Sequence, residues 1–167
     1  MYIKREVMEK SPSLLLGGLN INFKRKLVQP LIISFIVVFI VVVLETVDLY
    51  RMFGTYGDRF ETIVNLLIFP VTPIIYGWIV KDKIGAVIVG AVPIFIILFF
   101  GNLFFGNLIY NNGLSISRFF TILLYAVSLA TLGSLAGYFA SKKEFKYLVI
   151  SIFFGVVWIS VFFSGID

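Results

Sequence analysis

The sequence predicts an all-α integral membrane protein, a compact bundle of five transmembrane helices with a cytoplasmic N-terminus and an external C-terminus. Three observations predict it. Apolar residues make up 60% of the 167 and charged residues only 14%, against about 45–50% and about 25% in a soluble domain. Mean hydropathy is +1.04. Five long apolar runs are joined by polar connections whose basic residues fall on alternate sides.

A helix needs about 20 apolar residues to cross about 30 Å of hydrocarbon. The runs lie at about 31–50, 62–80, 84–105, 119–140 and 147–166, which makes 31–167 a five-helix transmembrane domain. The first run is crowded with Val and Ile, yet it is too long for a strand. A barrel would alternate apolar and polar residues, and an open sheet would leave unpaired edges in lipid. Helices are therefore expected throughout.

Residues 1–30 are expected to form a basic cytoplasmic tail. Lys4 and Arg5 are followed by Glu6, Glu9 and Lys10 rather than by an apolar core, so this is not a cleavable signal. The stretch from Leu14 to Phe23 either lies in the headgroup layer, anchored by Lys24, Arg25 and Lys26, or is partly disordered.

The third run stays apolar to Tyr110 and holds a tandem repeat, Phe99-Phe100-Gly101-Asn102-Leu103 and Phe104-Phe105-Gly106-Asn107-Leu108. Gly-Asn pairs weaken a helix. The segment reads either as a crossing followed by an interfacial piece or as one tilted helix.

Orientation follows from the basic residues. An inner N-terminus puts Lys4, Arg5, Lys10, Lys24, Arg25, Lys26, Lys81, Lys83, Lys142, Lys143 and Lys146 inside, and only Arg51, Arg59 and Arg118 outside. Positive charge is retained on the cytoplasmic side. Tyr76, Trp78, Tyr110, Phe119, Tyr138 and Tyr147 fall near span ends, where an aromatic belt is expected.

Spans two and three also resemble spans four and five. Thr62-Ile63 leads to Gly77-Trp78 and Lys81-Asp82-Lys83, and Thr121-Ile122 leads to Gly137-Tyr138 and Lys142-Lys143-Glu144. This weak pattern reads as a parallel hairpin repeat about an axis along the membrane normal.

Lipid tails are as apolar as Leu, so helices in a bilayer associate through close approach at small residues. Ala126, Ala130, Gly133 and Gly137 form such a stripe on the fourth span. It serves packing within the bundle, the commoner use, or self-association.

Candidate functional positions are few. Pro70 and Pro73 in the second span and Pro93 in the third remove backbone hydrogen bonds. They are structural kinks, or they mark a cavity between those spans. Asn65 and Thr72 are seven residues apart on one face of the second span. Glu45 and Asp48 are the acids embedded in an apolar run, with Arg51 three residues beyond. Mid-bilayer charge costs about 2.5–3.5 kcal/mol. These acids read either as an outward-facing cation, proton or ligand site, or as a boundary pair between Asp48 and Arg51 with Glu45 reaching a neighbour.

With no Cys and no His, thiolate, imidazole and common zinc chemistry are excluded. No phosphate-binding glycine loop is present. No catalytic residue, metal or cofactor is implied, and nucleic acid is not an expected partner. An enzyme holding a cation on Glu45 and Asp48 ranks last, because two acids are too few. The leading expectation is a multi-pass cell-membrane protein acting as a transport or permeation component, or as the membrane subunit of a transporter. The alternative is a non-catalytic structural or assembly subunit. Expected partners are the bilayer itself and either further copies or another membrane protein.

Overall fold

The computed structural model describes residues 12–47, 54–101 and 116–164. Helix α1 is Pro12–Thr46, α2 is Thr55–Val80, α3 is Lys83–Ile94 continuing as a π-helical segment Phe95–Gly101, α4 is Ile116–Ala140 and α5 is Phe145–Ser164. The described residues hold no strand.

Leu27–Thr46 of α1 and the whole of α2, α4 and α5 are long and apolar enough to cross a membrane. The protein is thus an all-α bundle with the build of a polytopic membrane protein. The expectation of five such spans is met by four. The apolar stretch of the remaining helix, Lys83–Phe99, is shorter. Pro93 removes the amide that would bond the Val89 carbonyl. From Phe95 the helix widens into π geometry, with the Phe95 N–H shared between the carbonyls of Ala91 and Val92. The second half of the tandem repeat, Tyr110, Asp48 and Arg51 lie outside the described residues.

Two tight turns fold the chain into antiparallel pairs. After α2, Lys81 adopts the left-handed conformation (φ 61°) and its N–H reaches the Gly77 carbonyl at 3.1 Å. This capping geometry usually takes Gly. Asp82 then caps α3, accepting from the Ile84 N–H at 3.1 Å, the role for which Asp is favoured. Between α4 and α5, Lys143 is also left-handed (φ 55°) and donates to the Ala140 carbonyl at 3.2 Å. The turns share one end of the bundle, because Gly77 lies against Gly137 and the Ser141 amide.

Helix α4 is the hub. It packs extensively against α2, α3 and α5, while α1 rests mainly on α3. The reason is its small-residue face. A Cβ added at Gly133 would come within 2.8 Å of the Gly90 carbonyl oxygen of α3. One at Gly137 would meet the Ala86 carbonyl of α3 at 2.7 Å and Pro73 of α2 at 3.0 Å. Ala126, Leu129, Ala130 and Ala136 are buried on the same helix.

Three side chains tie α4 to its neighbours. Ser134 donates to the Val87 carbonyl of α3 at 3.1 Å, Tyr125 to the Phe162 carbonyl of α5 at 2.8 Å, and Ser151 of α5 to the Ala136 carbonyl at 2.6 Å. The outward surfaces are apolar, with Phe39, Ile79, Leu124 and Phe153 all more than 60% exposed. That is the inverse of a soluble surface and suits hydrocarbon.

Candidate polar site inside the bundle

Helix α2 runs unbroken through two prolines. Both rings are fully buried, and each meets a glycine. A Cβ at Gly155 of α5 would lie 3.7 Å from Pro70, and one at Gly137 of α4 would lie 3.0 Å from Pro73. The prolines therefore form helix contacts. Pro93 is likewise fully buried. Thr72, between the first two, donates to the Ile68 carbonyl at 2.6 Å. Its hydroxyl is satisfied within its own helix.

Asn65 is different. Its Oδ1 is buried and accepts no hydrogen bond. It stands a turn before Phe69 on α2, and Phe69 stacks on Trp158 of α5 with ring centroids 5.7 Å apart. Trp158 also stacks on Phe162 at 5.4 Å. Trp158 is 1% exposed, and its Nε1–H has no acceptor. One orphan acceptor and one orphan donor thus sit around one aromatic column. Each unsatisfied buried group costs about 1–3 kcal/mol, and such groups call for an explanation.

Glu45 is exposed near the end of α1, a helix that touches α2 only lightly. Asp48 is outside the described residues, so the expected Glu45–Asp48–Arg51 ridge has no described geometry. Among the described residues no group of three or more acidic side chains gathers to hold a metal ion.

Sequence reasoning missed Trp158. The available signal was its position. Trp normally marks the membrane interface, and Trp158 falls well inside the fifth apolar run. Tyr125 and Ser134 were also missed, because a hydroxyl in an apolar run does not reveal whether it bonds its own helix or another.

A groove of about 440 Å³ opens between α3 and α4, one helix interface away from the one the prolines suggested. Its walls include Val87, Ala91 and Phe95 on α3 and Thr131, Ser134 and Tyr138 on α4. Neither a family model nor a curated protein nor a solved structure matches the chain.

Proposed function

We propose that this polytopic membrane protein is a transport or permeation component, or the membrane subunit of a transporter, in which a small polar solute meets Asn65 and Trp158. The observation that carries the reading is that two buried polar atoms, Asn65 Oδ1 on α2 and Trp158 Nε1 on α5, have no hydrogen-bond partner. A carboxamide oxygen accepts and an indole N–H donates, so a guest with both a donor and an acceptor completes both. The two Pro-bearing helices beside them supply backbone without amides at Pro70, Pro73 and Pro93, a recurrent feature of transporter helices. Five crossings complete the topology, with the π-extended α3 as the fifth at about 28 Å for a 1.5 Å rise. The N-terminus is inside and the C-terminus outside, and spans two to five form a parallel hairpin repeat.

The test is solute flux into liposomes containing the purified protein, measured by stopped-flow light scattering with water, glycerol and urea and by dye quenching with protons and Na⁺. The wild type is expected to raise permeability to at least one of these above protein-free vesicles. Asn65→Leu and Trp158→Phe are expected to abolish that rise while retaining wild-type helicity. Flux from both variants equal to the wild type, or no flux of any probe, overturns the reading.

A second reading, a structural or assembly subunit, is favoured by the closeness of packing around α4. It predicts a partner that co-purifies in mild detergent and no flux in liposomes.

A further inference from the structure

The groove between α3 and α4 has a chemical polarity along its length. Two of its lining hydroxyls donate to backbone. Thr131 Oγ1 donates to the Val127 carbonyl at 2.7 Å and Ser134 Oγ to the Val87 carbonyl at 3.1 Å. The middle of the groove therefore offers a guest apolar surface, built from Val87, Ala91, Phe95 and Val127. A hydrocarbon chain gains contact along that stretch.

The end of the groove nearest the two tight turns is basic. On α3, Lys83 stands one helical turn before Val87, so it continues the same wall. On α4, Lys142 follows Tyr138 by four residues, and its Nζ lies 5.1 Å from the Tyr138 ring centroid. The same ammonium lies 5.2 Å from the Phe139 ring and 4.2 Å from the Tyr147 ring of α5, so aromatic faces hold it at the α4–α5 corner beside the groove. Lys83 is exposed and Lys142 half-buried. The nearest acid on this turn, Asp82, turns its carboxylate to the Ile84 N–H. By helical spacing, Lys83 on α3 and Lys142 beside Tyr138 of α4 stand beyond the end of the groove nearest the two tight turns.

We infer that the α3–α4 groove binds one anionic phospholipid from the inner leaflet, with an acyl chain along Val87, Ala91 and Phe95 and the headgroup phosphate between Lys83 and Lys142. Basic pockets between transmembrane helices on the cytoplasmic side suit such headgroups. The site is separate from Asn65 and Trp158, and it stands or falls independently of solute transport.

Native mass spectrometry of the full chain in mild detergent tests it, with equimolar phosphatidylglycerol and phosphatidylcholine as probes. The wild type is expected to retain one phosphatidylglycerol with roughly tenfold preference over phosphatidylcholine. The double variant Lys83→Gln/Lys142→Gln is expected to lose the preference and still bind either lipid weakly. Thr131→Trp, which fills the groove from an exposed position, is expected to lower retention of both. The double variant Lys143→Gln/Lys146→Gln, two lysines outside the groove walls, is expected to leave the preference unchanged. Equal retention of the two lipids by the wild type overturns the proposal. So does an unchanged preference in Lys83→Gln/Lys142→Gln, or an equal loss in Lys143→Gln/Lys146→Gln, which marks diffuse attraction to basic residues. Circular dichroism confirms that each variant remains helical.

Discussion

Gly90 of α3 and Gly133 of α4 face each other so closely that their backbones touch. A Cβ added at Gly90 would lie 2.5 Å from the Gly133 carbonyl oxygen, and one at Gly133 would lie 2.8 Å from that of Gly90. Backbone, unlike a flexible side chain, cannot move aside. Close approach of this kind is what holds helices together where no hydrophobic force separates them from lipid.

Gly133→Leu is accordingly expected to push α3 and α4 apart and to destabilise the bundle by about 1–3 kcal/mol or more. Unfolding of the purified protein in mixed dodecylmaltoside and SDS micelles measures it. Gly101→Ala serves as control, because a Cβ there meets nothing within 4 Å. Wild-type stability in Gly133→Leu would show that this contact can be lost without consequence.

The bond from Ser151 to the Ala136 carbonyl, 2.6 Å long with Ser151 fully buried, joins α5 to α4. Interhelical hydrogen bonds in membranes are worth about 0.6 kcal/mol on average. Ser151→Ala is expected to lower stability by about that amount, and Tyr125→Phe, which loses the bond to Phe162, similarly. The two losses are expected to add, since they act on different turns of α4. A strongly non-additive double variant would contradict independent fastening.

Asn65→Leu has a signature that a purely structural residue lacks. It removes a buried acceptor that bonds to nothing, so in solute-free detergent it is expected to raise stability by about 1–3 kcal/mol. In liposomes the same variant loses flux. Opposite signs in the two assays are the mark of a group kept for function. A fall in stability would show that the carboxamide has a structural partner.

Lys81 holds a backbone conformation that costs a non-glycine residue about 1–2 kcal/mol. Lys81→Gly is therefore expected to stabilise the α2–α3 turn by about 1 kcal/mol, and Lys143→Gly the α4–α5 turn by a similar amount. Unfolding midpoints in SDS read both changes. Both substitutions also remove positive charge from the turns, so a cysteine-accessibility assay of topology in cells accompanies them. An unchanged or lowered midpoint would mean that the lysine side chains, rather than the turn geometry, hold these corners.

How much of this was legible beforehand differs from residue to residue. The two tight turns were readable, because Lys81-Asp82-Lys83 and Lys142-Lys143-Glu144 interrupt apolar runs and charge is expelled from hydrocarbon. The small stripe on α4 was readable as a packing face by its spacing. The identity of its neighbours was not, because Gly and Ala accept any backbone that comes close, and α4 meets three. Pro70 and Pro73 read as kinks, structural or beside a cavity, but the glycines of α4 and α5 that lie against their rings could not be read, because they come from other helices.

The solvent of the chain, the helical state of its long runs and the positions of its tight turns were determined by the sequence itself. Hydrophobicity and charge act on each segment separately, so a linear string records them. Only the tertiary structure decided that Trp158 lies against Phe69 one turn from Asn65, and that Val87 of α3 and Ser134 of α4 line one groove. Those relationships join residues from different helices. In a bilayer the choice of partner rests on shape matching between backbones, which composition and periodicity do not encode.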